Sequence, residues 1–195
     1  MLTARIITQD LASPKLRAML AELAPAARQA MLNRLGKALE NQLKAHFVMR
    51  DAEGNKQGFP SQHFWSREVR DKTALREVTP DRATVGIDSA PFRQKVFGGV
   101  IRPGPGKKFL ALPTRAEAYG VLPRANTIPG LFAVRVKSTG KAYLATRDGK
   151  ALRVYWRLVT SVNQAPDPKA LPPRAQLQAA LDAIAEREIV RIAKP

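Results

Sequence analysis

The sequence predicts an α+β fold with N-terminal helices, a central antiparallel sheet carrying a long basic hairpin insertion, and a C-terminal helix. Two long helical patterns lie near the ends of the chain, and short strand patterns follow one another between them. Runs of one element type followed by runs of another are typical of α+β folds and not of a doubly wound parallel sheet. With 195 residues, of which 45% are hydrophobic, the chain is long enough to form a single domain, 1–195, with a substantial core.

The first part of that domain, residues 1–50, is predicted to be helical. Ser13 and Pro14 have the residue types of a helix N-cap and a first helical position. From Pro25, apolar residues recur about every four positions, which predicts an amphipathic helix of roughly six turns ending near Arg50. Gly36 in this helix either weakens it or allows another element to pack closely against it.

Residues 74–163 carry the predicted antiparallel strands. "ALREVT" and "ATVGID" flank a Pro-Asp-Arg turn, and "LFAVRVK" and "KAYLATR" flank a Ser-Thr-Gly turn. The tight-turn dipeptide Asp148-Gly149 precedes a long alternating strand pattern over residues 152–162. The final part, 164–195, is predicted to be a stiff Pro-rich arm followed by a terminal helix from about Pro173.

Charge is the strongest global feature of the sequence. The chain holds 33 Lys and Arg against 16 Asp and Glu, a net charge of +17, and residues 89–157 alone hold 14 basic residues and two acidic ones. Such an excess attracts nucleic acid, an anionic membrane or an acidic protein, unless it serves only solubility. The absence of cysteine excludes disulfides, thiolate metal sites and thiol nucleophiles. With no signal peptide and no apolar stretch long enough to span a membrane, a protein made in the cytoplasm is expected.

The segment "GGVIRPGPGKKFLALP" raises the question of a phosphate-binding loop. In such a loop a Ser or Thr follows the Lys and a helix follows the loop, whereas here Lys107 is followed by Lys108 and then by a strand pattern. The segment is therefore predicted to be a hairpin tip from which Arg102, Lys107 and Lys108 project towards a partner. The alternative is an ordinary surface loop.

No catalytic or cofactor-binding pattern emerges from the sequence, and neither an enzyme activity nor a small-molecule substrate is expected. His46 and His63, with Asp51 or Glu53, form the one crude set of metal ligands, as in a metal-dependent nuclease, but both histidines also suit packing positions. The sequence lacks the signatures of helix-turn-helix, zinc-finger or RNP-type nucleic-acid readers. Nucleic acid, if bound, is expected to be contacted through its phosphates without sequence preference.

Several stretches, in order along nearly the whole chain, resemble the virion-morphogenesis and tail-completion proteins of tailed phages. "FGGVIRPGPGKKFLALPTRAEAYG" is similar to a stretch of that family, as is the polar "DAEGNKQGF" loop followed by "HFW". "FRQKVFGG", after "TVGID", is similar to the family's Tyr-Ala-x-x-His-x-x-Gly region, with Phe92 and Phe97 where Tyr and His are usual. "PDPKALPPR" is similar to the family's Pro-Ala-Arg-Pro-Phe-Leu element, although Pro-Phe does not follow Arg174, and residues 100–150 form an insertion.

The resemblance implies a non-enzymatic structural protein of the virion neck or tail end, made in the host cytoplasm. It implies a homo-oligomeric, commonly sixfold ring that meets neighbouring neck, connector or tail-tube proteins and contacts packaged DNA without specificity. Tail completion, tail termination and head–tail adaptation all remain open as its position. In this interpretation Phe92, Phe97 and Trp156 anchor the core or an interface. The Pro-rich arm reaches a neighbouring subunit through Pro166, Pro168, Leu171 and Pro172.

Overall fold

Helices lie towards both ends of the chain and antiparallel strands lie between them, so the α+β class predicted from the sequence is confirmed. The computed structural model describes residues 12–54, 57–125 and 127–193. Its α-helices are α1 (Pro14–Ala21), α2 (Pro25–Ala52), α3 (Ala90–Phe97) and α4 (Arg174–Ala193). Its strands are β1 (Thr73–Val78), β2 (Ala83–Ile87), β3 (Gly99–Ile101), β4 (Leu110–Pro113), β5 (Phe132–Arg135), β6 (Ala142–Asp148), β7 (Ala151–Val159) and β8 (Val162–Gln164).

The chain divides into two compact units. The first takes the described residues of Met1–Glu53, His63–Phe97 and Asp167–Pro195, and the second takes those of Gly54–Gln62 and Gly98–Pro166. The β1–β2 hairpin, predicted from sequence to belong with the other strands, lies in the helical first unit. A division into compact units does not test whether residues 1–195 form one domain, so that statement stays a prediction.

Helix α2 is the centre of the first unit. It begins at Pro25, as the sequence predicts, and continues to Ala52, so it is longer than expected. Helix α1 begins where Ser13 caps it, since the Ser13 hydroxyl accepts a hydrogen bond from the Leu16 N–H at 3.1 Å. The apolar stripe of α2 is buried in one core with residues of α1, α4 and the β1–β2 hairpin. The buried apolar side chains of α2 are Met31, Leu32, Leu35, Leu39, Leu43 and Phe47.

Gly36 allows the β1–β2 hairpin to approach α2 closely. A Cβ atom at Gly36 would lie 2.6 Å from Leu75 Cδ1 and 3.1 Å from the Cβ of Ala83. We expect Gly36→Ala to lower the free energy of unfolding by about 1 kcal/mol, because overpacking outweighs the gain in helix propensity. Urea denaturation measures this change, and a stabilised variant would show that the hairpin can move away at little cost.

Glu40 is a buried carboxylate on the same helix, 6% exposed. It accepts from Lys44 at 2.7 Å, from Lys37 at 2.9 Å and from the Leu75 N–H at 3.1 Å. The hydrogen bonds from Lys44 and then Lys37 lower the pKa of Glu40 from 4.5 to about 2. Because the folded-state pKa is the lower one, the carboxylate stabilises the fold above pH 4.5, and this stability is lost as pH falls towards 2.

We expect Glu40→Gln to lower the free energy of unfolding at neutral pH by about 1–3 kcal/mol. The variant should also lose part of the decline in stability that the wild type shows between about pH 4.5 and pH 2. Urea denaturation at neutral pH and near pH 3 measures both effects. Glu22→Gln, at an exposed position of the same unit, is the control and should leave both unchanged. Equal acid sensitivity of Glu40→Gln and wild type would contradict the assignment.

An aromatic cluster closes one end of the first core. Residues Phe64–Val69 form a π-helical turn whose N–H groups at Trp65 and Ser66 donate to the Asp51 carboxylate at 3.1 and 2.8 Å. Trp65 and Val69 are buried, and Phe64 packs at the edge of the core. Asp51 therefore holds this turn against the end of α2.

Part of the Pro-rich arm packs on the first unit, whereas the sequence predicted that the whole arm projects; its contact with a neighbouring subunit stays a prediction. Ala170 and Pro172 are buried and Leu171 packs against the core, while Pro166 and Pro168 are exposed. An extended Pro-rich segment still buries apolar side chains wherever a groove fits them.

The strands of the second unit form two antiparallel sheets, whereas the sequence predicted one central sheet. Strands β3 and β8 pair with each other, and the four-stranded sheet has the order β4-β7-β6-β5. Strands β6 and β7 meet at the Asp148-Gly149 turn, as predicted. A β-bulge then shifts the register. Leu144 pairs with Trp156 and Ala145 pairs with Val154, so Tyr155 is the extra residue on β7.

One face of the four-stranded sheet is covered by the segment that follows β4. Ala118, Tyr155 and Trp156 form the small buried core, and Trp156 is only 1% exposed. The segment 114–131 supplies the partly buried side chains that pack against this core, together with Ala111 and Leu144 from the sheet. The bulge turns both Tyr155 and Trp156 towards this covered face.

Candidate interaction surface

Basic charge is concentrated in the second unit. That unit holds 13 Lys and Arg and only two acids, Glu117 and Asp148, a net charge of +11. The first unit holds the other 20 basic and 14 acidic residues, a net charge of +6. Ten of those 14 acids form ion pairs among the described residues of the first unit. The second unit therefore holds most of the uncompensated charge, +11 of the total of +17.

Within the described residues of the second unit, one ion pair forms, between Arg153 and Glu117 at 2.8 Å. The backbone N–H of Glu117 and then the cation of Arg153 lower the pKa of this carboxyl. Arg153 also lies over the Tyr155 ring, 5.6 Å from its centroid, on the covered side of the sheet. Glu117 therefore pairs with an arginine on the covered side of the sheet. Among the described residues, the arginines of the opposite side form no ion pair with a carboxylate of this unit.

The opposite face of the sheet, here called the open sheet face, is a shallow apolar depression with arginines at its edge. Directly paired residues of neighbouring strands point to the same side of a sheet, so the register identifies its rows. One row crosses all four strands, through Val134, Tyr143, Arg157 and Leu112. The next rows contain Phe132, Ala145 and Val154, and then Arg147 and Leu152.

Several side chains of the open sheet face are exposed to solvent. Leu152 is 49% exposed, Phe132 is 38% exposed and Arg147 and Arg157 are exposed, while Tyr143 is half-buried. Ala145 is fully buried and forms the floor of the depression between larger neighbours. The lining side chains are Thr114, Arg115, Val134, Val136, Tyr143, Ala145, Leu152 and Val154. An exposed apolar depression with arginines at its edge is suited to binding a partner.

The basic loop predicted as the partner-facing element is exposed, but it is not a hairpin tip. Arg102, Lys107 and Lys108 are all exposed, and the Lys107 N–H donates to the Gly104 carbonyl at 3.0 Å in a tight turn. The loop joins β3, which pairs with β8, to β4, which pairs with β7, so its two ends belong to different sheets. A strand and not a helix follows the loop, as the sequence argument against a phosphate-binding loop requires.

The three predicted aromatic anchors occupy different environments. Phe92 is fully buried in the core of the first unit, and Trp156 is buried in that of the second. Phe97 is 63% exposed at the end of α3 and contributes to neither core. Of the three, Phe97 is the one available to an interface.

Three of the four candidate metal ligands make other contacts. His46 Nε2 lies 3.0 Å from the Lys169 carbonyl oxygen, Asp51 holds the π-helical turn, and Glu53 pairs with Arg50. Among the described residues, no three His, Cys, Asp or Glu side chains come together as a possible metal site. In the same part of the chain, no helix is both long enough and apolar enough to cross a membrane.

Sequence reasoning identified the basic loop and missed the open sheet face. The alternating pattern of β7 was visible in the sequence, but it does not say which side of the strand stays uncovered. Counting back from the Asp148-Gly149 turn would pair Tyr143 with Trp156, on the covered side. The bulge at Tyr155 shifts that pairing to Arg157 and so places Tyr143 on the open side.

Comparison with known proteins adds no relative. No family model, curated protein or solved structure matches this chain.

Proposed function

We propose that this chain is a non-enzymatic structural protein of a tailed-phage virion, a tail-completion or head–tail joining component that forms an oligomeric ring at the neck or tail end. The observation that carries the proposal is a set of exposed apolar side chains on the first unit, at Met49, Phe97 and Val190, to which the second unit adds an excess of cations. The resemblance of several stretches of the chain to the phage tail-completion proteins supplies the biological setting. The homo-oligomer, commonly sixfold, and its neighbouring neck, connector or tail-tube proteins are part of this proposal.

Exposed apolar side chains on the first unit are suited to contacts between copies. Met49 is 60% exposed near the end of α2, Phe97 is 63% exposed and Val190 is 55% exposed on α4. In an assembled ring such side chains would leave water, at a gain of about 25 cal/mol per Å² of apolar surface buried. In the second unit, the basic loop and its exposed flanking residues Val100 and Phe109 are suited to a neighbouring component or to packaged DNA.

Negative-stain electron microscopy of the purified chain tests the ring directly. The proposal predicts closed ring particles of one stoichiometry. Replacing the exposed Met49 and Phe97 together by Asp should disperse the rings without unfolding the protein, because neither side chain is buried. The matched control is Leu122→Asp, at another exposed apolar position, in the second unit. Particles that stay single under all conditions, with wild-type protein, would oppose the proposal.

The second candidate function is a non-specific nucleic-acid-binding protein that acts without a ring. The observation in its favour is the net charge of +11 on the second unit, with a single ion pair among its described residues. Binding through phosphates releases counterions, so affinity should fall steeply between about 50 and 200 mM salt. Tight, salt-sensitive binding of duplex DNA by a monomer would favour this candidate over the ring.

A further inference from the structure

We propose that the open sheet face binds single-stranded nucleic acid without sequence preference. Bases would lie on Tyr143 and the apolar side chains around it, and phosphates would contact Arg147 and Arg157. This inference concerns the second unit alone and does not depend on the proposed ring.

The first step is that the occupant of the face is acidic. The second unit carries +11, and the cations beside the apolar depression have no carboxylate partner among its described residues. A second copy of this chain is a poor occupant, because both of its units are basic and most acids of its first unit already bind their own cations. Like charges facing each other across an interface cost free energy, so the complementary charge comes from another molecule.

The second step is that the arrangement of the face matches the parts of a nucleotide. Tyr143 and Arg157 are direct cross-strand partners, and such partners have their Cβ atoms about 5 Å apart. A flat ring therefore lies beside a guanidinium, and one strand further on Val134 extends the apolar surface. Arg147 lies on the same face of β6, four residues or about 13 Å along the strand from Tyr143, where a later phosphate of the same bound strand could reach it.

The third step is that the face favours a single strand over a duplex. Duplex DNA keeps its bases inside the stack and offers phosphates and groove edges to a protein, so it would leave the apolar depression uncovered. A single strand can place its bases on aromatic and apolar side chains while its backbone follows a row of cations. Stacking of this kind is tolerant of sequence, because every base has a flat face.

The experiment is fluorescence anisotropy of the full chain with a labelled thymidine oligonucleotide and with a duplex of equal length, each of about 20 nucleotides, at about 50 and 300 mM salt. The single strand should bind about tenfold more tightly than the duplex. Tyr143→Ala should weaken single-strand binding about tenfold and leave duplex binding unchanged. Tyr143→Phe retains the ring and should bind like the wild type, which separates loss of stacking from misfolding.

A pair of arginine variants provides the matched control for charge. Arg157 lies on the open sheet face, and Arg135 lies on β5 with its side chain on the other face, paired with Ala142. Both are exposed, so Arg157→Gln and Arg135→Gln remove the same charge with little effect on folding. Arg157→Gln should weaken single-strand binding several-fold more than Arg135→Gln does.

Three outcomes would overturn the proposal. Duplex binding as tight as single-strand binding, with Tyr143→Ala unaffected, would mean that the surface cations bind phosphates without the sheet face. Equal effects of Arg157→Gln and Arg135→Gln would mean the same. Binding of neither probe at about 50 mM salt would assign the open sheet face to an acidic protein partner instead.

Discussion

Replacing Phe47 by Ala is expected to lower the free energy of unfolding by about 3–5 kcal/mol. Phe47 is fully buried on α2. Its ring stacks on Trp65 at a centroid distance of 6.2 Å and meets the edge of Phe92 at 5.6 Å. Truncation removes the transfer free energy of the ring and leaves a cavity among aromatic neighbours that cannot collapse without breaking their contacts with one another.

Val48→Ala is the control, since it truncates an apolar side chain on the same helix, next to Phe47, at a position that is 47% exposed. Its effect on the free energy of unfolding should stay within about 0.5 kcal/mol. Urea denaturation followed by far-ultraviolet circular dichroism measures both variants. Comparable losses in the two variants would mean that Phe47 does not anchor the first core.

Trp156→Ala is expected to unfold the second unit while the first unit stays folded. Among the described residues, the buried core cluster of the second unit consists of Ala118, Tyr155 and Trp156, so the loss of Trp156 removes most of its buried apolar area. Truncation of a buried Trp lowers the free energy of unfolding by about 3–5 kcal/mol. A small β unit has too little stability to stay folded after such a loss. The first unit has its own larger core, to which no residue of the second core contributes.

The chain has two Trp residues, one in each unit, which makes this expectation measurable. In Trp156→Ala the remaining Trp65 reports on the first unit alone. Its fluorescence should show a urea transition close to that of the first unit in wild type, while circular dichroism loses the strand signal. Leu152→Ala, at an exposed position of the same strand, is the control and should keep the strand signal. A Trp65 transition shifted as far as the strand signal would mean that the two units unfold as one.

The elements set by local periodicity were predictable from the sequence. Helix α2, helix α4 and the hairpin around Asp148-Gly149 all lie where apolar spacing and turn residues indicate them. Gly36 was ambiguous in sequence, because a glycine within a helix can either weaken the helix or allow another element to pack closely against it. The structure resolves the ambiguity through a neighbouring strand, at Leu75 and Ala83, far away in the sequence.

Features that depend on distant partners were not predictable. The basic loop was taken for a hairpin tip because its Pro and Gly residues indicate a turn, but the pairing of β3 with β8 and of β4 with β7 decides its role. The Pro-rich arm was expected to project, since prolines indicate an extended chain, and nothing local reveals that Ala170 and Pro172 are buried. The set of side chains on the open sheet face depends on the bulge at Tyr155, and the alternating pattern of β7 does not indicate that bulge.

The measurement that tests the central claim most directly is the mass of the purified chain by light scattering, over a range of protein concentrations and at low and high salt. The account predicts one discrete mass several times that of the 21.4 kDa chain, which persists at high salt because apolar contacts hold the copies together. A mass of 21.4 kDa at every concentration and salt would contradict the ring, whatever nucleic acid the protein binds.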